Sequence, residues 1–373
     1  MEKIDKPVDY QPISIVENIK QSPPVDTSAP YDADWIRGRT ILITGGASGF
    51  GEGMVRKWAA AGANVIIGDI NATMGDKVVQ EVRNDTGSED VHFVRTDVTN
   101  WESQVELFKQ AVKLSHHGGI DVVVANAGVA VADEFEMPQG LDKDAPPKPK
   151  LKTFEVNLIG VLYTTHLALF WLPRNPGSKP ARTAREPEYT PRDRHLLLMG
   201  SMASLGPIPS QALYAVSKHG VLGLFRTLRS SAWIHGIRVN MLCPYFIDTP
   251  IIPASLRMLL AGGAMGKPED VVDAATRLSA DNRIVGRALY VGPKMKVVLD
   301  QEGNYQLSAQ GQPKPVWECY AHDYDDSELF GRNLTRLLNQ FAAARGWSGY
   351  LMDLFGAFVY GVKKGPRDFL GKR

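Results

Sequence analysis

A hydroxyl, a phenol and an ammonium lie close together between His195 and Gly236: Ser201, Tyr214 and Lys218. Tyr214 and Lys218 are spaced i,i+4, so on a helix they share one face. An ammonium beside a phenol favours the phenolate and lowers a pKa that starts at about 10. Such a pair can act as general acid or base near neutral pH. Ser201, thirteen residues before Tyr214, can reach the same point and donate a hydrogen bond to a substrate oxygen. A Tyr-x-x-x-Lys pair alone occurs on many solvated helices, so its meaning depends on what the rest of the chain places beside it.

The elements that must position these groups are readable in outline. His195–Met199 is an apolar run of strand length, residues 200–209 are loop by their Gly and Pro content, and Ser210 is the expected N-cap of a helix running to Gly236. Upstream, the buried-strand run TILIT at residues 40–44 is followed at once by GGASGFGEG and a helical stretch ending at Gly62. Strand, glycine loop, helix is the order phosphate binding needs: glycines let the backbone approach a pyrophosphate, and the helix N-terminus offers N–H groups and a positive dipole end. A second strand from Asn64 ends in Asp69, twenty-four residues after Gly45, at a distance suited to a carboxylate that accepts hydrogen bonds from ribose hydroxyls.

The alternation continues. Residues 91–94 read as a third strand with Asp97 beyond it, and Thr99-x-x-Glu102 reads as a capping box opening a helix. A fourth strand, residues 120–124, runs into Ala125-Asn126-Ala127-Gly128, and an apolar helix over residues 151–172 carries Asn157. The Pro/Arg-rich residues 173–194 read as a surface excursion, residues 237–242 as a strand ending in Cys243-Pro244, residues 267–280 as a helix and residues 288–291 as a last strand. Strands alternating with helices imply an α/β fold with a doubly wound parallel sheet, the Rossmann arrangement. Its ligand belongs at the carboxyl ends of the strands, where the glycine loop, Asp69, Asn126, Ser201 and Pro244 all fall.

Composition sets the broad class. The chain has 373 residues, 44% hydrophobic and 22% charged, with a formal net charge of +1. It can bury a large core, and it carries no electrostatic footprint for nucleic acid. Two cysteines, Cys243 and Cys319, make no disulfide framework, and the N-terminus is too polar for a secretory signal. A cytoplasmic location is therefore expected. No metal site is expected.

These residues together resemble the short-chain dehydrogenase/reductase family over roughly residues 35–292, with residues 1–34 as an N-terminal arm and 293–373 as a C-terminal extension. Thr44-Gly45-x-x-x-Gly49-x-Gly51 is similar to that family's cofactor fingerprint. Asn126-Ala127-Gly128 is similar to its motif after the fourth strand, and Ser201, Tyr214 and Lys218 to its catalytic triad, with Asn157 as a fourth catalytic residue. The resemblance implies NAD as cofactor, preferred over NADP because Asp69 would repel a 2′-phosphate. It places cofactor contacts at Thr44, Gly45, Ser48, Gly49, Phe50, Gly51, Asp69, Asp97, Val98, Asn126, Ala127, Gly128, Pro244, Ile247 and Thr249, besides Tyr214 and Lys218. It also implies a homo-dimer or homo-tetramer. One departure stands out: where the family has Pro-Gly after the sixth strand, this chain has Pro244-Tyr245.

The activity implied is hydride transfer between NAD(H) and a secondary alcohol or ketone. Met202, Leu205, Phe246, Ile251 and Ile252 make the pocket apolar and the substrate lipophilic, unless they are simply core. Two other readings stay open: a non-catalytic dinucleotide-binding regulator, and an NADP-dependent ketoreductase or an epimerase of the same fold. In the extension, residues 296–309 read as a hairpin around Gly303. Two apolar helical segments follow, one with Phe330, Leu334, Leu337, Leu338 and Phe341 on one face and one over residues 347–362. Docking of these helices on the core or on a dimer partner is favoured over binding to a membrane surface.

Overall fold

The computed structural model describes residues 22–131, 135–136, 140–181, 191–249, 265–299, 305–307, 312–319 and 337. The chain divides into two compact units, Met1–Asp9 with Lys20–His322, and Tyr10–Ile19 with Asp323–Arg373. In the second unit only Leu337 is described, helical and half-exposed. The proposed apolar faces of the tail helices otherwise lie outside the described residues.

In the first unit the chain runs β1 (Thr40–Thr44), α1 (Gly49–Ala60), β2 (Asn64–Asp69), α2 (Ala72–Thr86), β3 (Val91–Arg95), α3 (Trp101–Leu114) and β4 (Val122–Ala125). Next come α4 (Lys152–Phe154), a π-helical turn (Glu155–Gly160), α5 (Val161–Trp171), β5 (His195–Met199), α6 (Ala212–Ser231) and β6 (Arg238–Pro244). The last elements are α7 (Pro268–Ala280), β7 (Ala288–Met295), the antiparallel pair β8 (Val297–Leu299) and β9 (Tyr305–Leu307), and β10 (Lys314–Cys319).

Seven strands form a parallel sheet and β10 closes one edge antiparallel to β7, in the order β10-β7-β6-β5-β4-β1-β2-β3. The strands alternate which face they bury. Ile41, Ile43, Val65 and Ile67 pack with Met54 and Trp58 of α1 and Leu278 of α7, while Leu42 and Ile66 pack with Phe108 of α3, Ala168 of α5 and Phe225 of α6. Helices cover both faces, as a doubly wound sheet requires. The chain leaves β1 toward β2 on one side and β4 adjoins β1 on the other, so their carboxyl ends open a crevice between them. Residues 152–174 are long and apolar enough to cross a membrane by length and composition, but Val161, Leu167, Ala168 and Leu172 are buried in the sheet's own core.

Several local expectations are corrected. The N-cap of α3 is Asn100, whose side chain accepts from the Ser103 amide, because the neighbouring Thr99 hydroxyl is already donated to Asp97. The N-cap position of α6 is Gln211 rather than Ser210, which sits at φ +61°, and α6 gives way at Ser231 to a 3-10 turn before Gly236. Residues 173–194 are not wholly a surface excursion. Asn175 and Asp193 are buried, and Asp193 joins Arg39 at 3.1 Å and Arg238 at 2.7 Å beneath the amino ends of the strands.

The sheet does not end at Gly292, and the arm is not loose from Ser22 onward. Glu318 of β10 pairs with Arg287 at 3.1 Å, both nearly fully buried. Ser22 donates to the Val285 carbonyl, the Val25 amide to Glu318, Thr27 to the Val316 carbonyl and Tyr31 to Asp273 of α7. The arm therefore straps the last strand to the sheet. Pro315 is tolerated in that strand because β10 is an edge and its register shifts between Lys314 and Val316.

Candidate active site

β5 delivers Ser201 at its carboxyl end, and the short turn that follows fixes it. The Ser201 hydroxyl accepts from the Ala203 amide at 3.1 Å, and the Ser201 amide donates to the Ser204 hydroxyl at 3.2 Å. Ser204, fully buried, donates in turn to the Lys218 carbonyl at 2.8 Å, tying the end of β5 to α6. Sequence reasoning passed over Ser204, although Ser201-x-x-Ser204 has the spacing of a capping box.

On α6, Tyr214 and Lys218 face this turn. The Ser201 hydroxyl lies on the Tyr214 side of this turn and favours the ionised phenol. Lys218 is buried, donates to the Met199 carbonyl at 3.0 Å, and stands 5.8 Å from the centre of the Tyr214 ring. The expected lowering of the phenol by the lysine is not what the protein alone produces. Burial raises the Tyr214 phenol above its ordinary 10, and the neighbouring Ser201 hydroxyl partly offsets that rise. Burial also pulls the Lys218 ammonium down from 10.5 to about 8. The lysine therefore sits near its own titration point at mildly alkaline pH.

Asn157 lies in the π-helical turn and is fully buried. Its amide makes two bonds to one residue: Oδ1 accepts from the Val129 amide and Nδ2 donates to the Val129 carbonyl, both at 2.8 Å. The side chain thus anchors the loop after β4. A π turn inside an α-helix often marks a functional site, and here it brings Asn157 under that loop. Gly128 lies close by: a Cβ there would stand 3.4 Å from Asn157 Oδ1 and 3.8 Å from Lys218 Nζ.

The glycine loop separates into packing and facing positions. Gly45, at φ +69°, presses on Ala127, where a Cβ would stand 2.7 Å from the Ala127 Cα, and a Cβ on Gly51 would collide with the Gly45 carbonyl. Gly49 has open space before it. Ser48, the N-cap of α1, makes no side-chain cap bond. An open glycine at a helix start without a side-chain cap fits a dinucleotide's phosphates. Asp69 closes the other end of the crevice, its carboxylate accepting from the Ala47 amide at 3.1 Å and the Asn71 amide at 3.0 Å. An ionised carboxylate has about four acceptor positions, so capacity remains for a ribose.

Other expected cofactor residues are built into the frame. The Thr44 hydroxyl accepts from the Asn126 and Ala127 amides, and Asn126 Nδ2 donates to the carbonyls of Thr44 and Gly45. These bonds hold the two walls of the crevice together. Asp97 accepts from Thr99, Val98 is buried where a Cβ on Gly160 would stand 3.0 Å from it, and Phe50 packs partly on the core. Pro244 is buried at the last position of β6, and Ile247 and Thr249 are buried beyond it, where Ile247 bridges Gly266. Met202, Leu205 and Phe246 are half-buried, whereas Ile251 and Ile252 lie outside the described residues. Among the described residues, no group of three or more His, Cys, Asp or Glu is placed to hold a metal.

A family model described as enoyl-(acyl carrier protein) reductase matches residues 45–292. This chain belongs to the short-chain dehydrogenase/reductase family. It is 36% identical to the 5'-hydroxyaverantin dehydrogenase of Dothistroma septosporum, over 70% of this chain and 87% of that protein. It is 33% identical to an NADP-dependent dehydrogenase of a Phoma species, over 68% of this chain and 74% of the relative. Among solved structures it resembles a 3-ketoacyl-(acyl-carrier-protein) reductase from Brucella melitensis complexed with NADH, with TM-score 0.55 and 26% identity over 69% of this chain and 97% of that one. The family supports an oxidoreductase that uses a nicotinamide dinucleotide, and its members include both NAD- and NADP-dependent enzymes.

Proposed function

We propose that this chain is an NAD-preferring dehydrogenase of lipophilic secondary alcohols, working reversibly on the corresponding ketones, with Tyr214 as the general acid or base. The observation that carries this reading is the placing of the Ser201 hydroxyl and the Tyr214 phenol at the carboxyl edge of the sheet, one helical turn from the buried Lys218 ammonium, which is held by the Met199 carbonyl. The bound nicotinamide would accept the hydride in oxidation and supply it in reduction.

The chain's own groups do the rest. Ser201 donates to the substrate oxygen and fixes the carbinol beside Tyr214. Tyr214, as phenolate, takes the hydroxyl proton, and Lys218 offsets the phenolate charge. Asn157, by holding Val129, keeps the loop after β4 at the height at which Lys218 and Gly128 meet the ligand. Gly49, the start of α1 and Asp69 would hold the dinucleotide, and the charge of Asp69 supports NAD over NADP. Half-buried Met202, Leu205 and Phe246 support an apolar substrate.

The proposal extends to self-association, because Leu162, Phe170 and Val216 leave 38%, 47% and 55% of their surface exposed on α5 and α6. The direct test is absorbance of the reduced nicotinamide with a panel of lipophilic secondary alcohols under NAD and under NADP. Turnover with NAD supports the reading. Absence of turnover with every alcohol and ketone under both cofactors defeats it.

A further inference from the structure

The residue that departs from the family pattern, Tyr245, belongs to an aromatic wall beside the candidate site. β6 ends at Pro244, and the Tyr245 amide donates to the Val291 carbonyl at 2.7 Å, so the chain beyond the strand stays alongside β7. The Tyr245 ring meets Phe246 edge to face at a centroid distance of 4.8 Å and Tyr290 of β7 at 6.2 Å. Tyr290 leans toward the carboxyl end of its strand: a Cβ on Gly292 would stand 2.8 Å from its hydroxyl.

Register fixes which face this is. Cys243, Tyr290 and Trp317 are cross-strand partners on β6, β7 and β10 and therefore share one face of the sheet. Cys243 is buried in the cluster that contains Val221, Leu222 and Phe225 of α6, the helix that carries Tyr214 and Lys218. Tyr290 thus lies one strand further along the same face, with Tyr245 against it at the carboxyl edge. Their neighbours Cys243, Leu289 and Val291 are fully buried, yet Tyr245, Phe246 and Tyr290 are only half-buried. Three large rings are thus grouped at the ligand end of the sheet and left partly open. Rings in offset or edge-to-face packing present rigid flat surfaces that favour other rings over flexible chains.

We infer that Tyr245 and Tyr290 form a stacking subsite that selects secondary alcohols whose carbinol is attached to a flat aromatic ring system. The inference rests on the oxidoreductase reading above for its position beside the reacting carbon. The wall decides which lipophilic alcohol is held there, and Tyr245, where a glycine would leave the space open, contributes the face nearest the end of β6.

Two measurements on the full chain test it. The first compares kcat/KM for naphthyl methyl carbinol with that for octan-2-ol in the wild type, Tyr245→Ala, Tyr245→Phe and Tyr290→Leu. The wild type should favour the naphthyl substrate, Tyr245→Ala should cut that preference about tenfold through KM, and Tyr245→Phe, which keeps the ring, should restore it. The second measures anthraquinone sulfonate binding by calorimetry, which needs no turnover, and should show a similar weakening in Tyr245→Ala and in Tyr290→Leu. Equal losses on both alcohols in Tyr245→Ala, or a wild type without preference, would overturn the subsite while leaving the dehydrogenase reading intact. Ring binding lost in Tyr245→Ala and kept in Tyr245→Phe, with no alcohol oxidised, would support the subsite and count against that reading instead.

Discussion

Lys218 Nζ donates to the Met199 carbonyl at 3.0 Å, and this bond, rather than one to Tyr214, sets where the ammonium stands. The lysine thereby joins the end of β5 to the helix that carries the phenol. Replacing it removes a charge and a buried donor together. Lys218→Met is expected to lower kcat for alcohol oxidation by about a hundredfold or more and to weaken NAD binding. The ammonium, pulled down to about 8, is fully charged below that pH and loses its charge above it. NAD affinity of the wild type should therefore fall between pH 7 and pH 9, and that slope should vanish in Lys218→Met. Fluorescence titration of NAD at several pH values checks both, and an equal slope in the two proteins would remove the lysine from the cofactor site.

Ser201 beside Tyr214 gives a prediction of opposite sense. The serine hydroxyl lowers a phenol that burial has raised. Ser201→Ala removes the donor that stabilises the phenolate, so the phenol pKa climbs further. Oxidation, which needs the phenolate, should shift to higher pH and lose about a hundredfold at neutrality. Tyr214→Phe, which has no proton to exchange, should lose activity at every pH. A pH–rate profile of Ser201→Ala that overlays the wild type would contradict this arrangement.

How much of this was legible in the sequence depends on whether the determinant is local. The parallel strands are apolar runs such as TILIT and HLLLM, buried on both faces, and they announce themselves. The i,i+4 pair on α6 and the hydroxyl at the end of β5 depend only on short spacing. The strand β10 does not read this way, because Pro315 and Glu318 look wrong for a sheet. Glu318 is acceptable only because Arg287, thirty-one residues earlier, neutralises it. The anchoring of Asn157 was equally hidden, since a π turn leaves no period in the sequence. The cap of α3 was missed by one residue because Thr99 and Asn100 are both able to cap, and the choice was made by Asp97 capturing Thr99.

The proposed preference for NAD turns on Asp69. Its carboxylate already holds the Ala47 amide of the glycine loop, which fixes it at the crevice rather than leaving it to swing away. A 2′-phosphate brought there meets like charge, so NAD should be preferred by at least about tenfold. Asp69→Ala should narrow the gap chiefly by improving NADP. Dissociation constants for both cofactors decide the matter, and equal affinities in the wild type would defeat the expectation.

The last prediction concerns the end of the sheet away from chemistry. Asp193 stands between Arg39 and Arg238, all three nearly fully buried. Burial alone would raise its carboxyl, but Arg238 and then Arg39 hold it well below the usual carboxylate range. A carboxylate whose folded pKa is depressed contributes stability that is fully present above its unfolded value of about 3.9 and is lost as pH falls toward the folded one. Asp193→Asn removes the carboxylate that stands between two buried guanidinium groups, which is expected to cost about 3–5 kcal/mol at neutral pH. Because the wild type forfeits the same charge in acid, the gap between the two proteins should begin to close only below about pH 4. Urea unfolding of both proteins at neutral pH and at successively lower pH measures this. A constant gap into that acid range, or none at neutrality, would mean that the charge on Asp193 does not hold β1, β5 and β6 together at their amino ends.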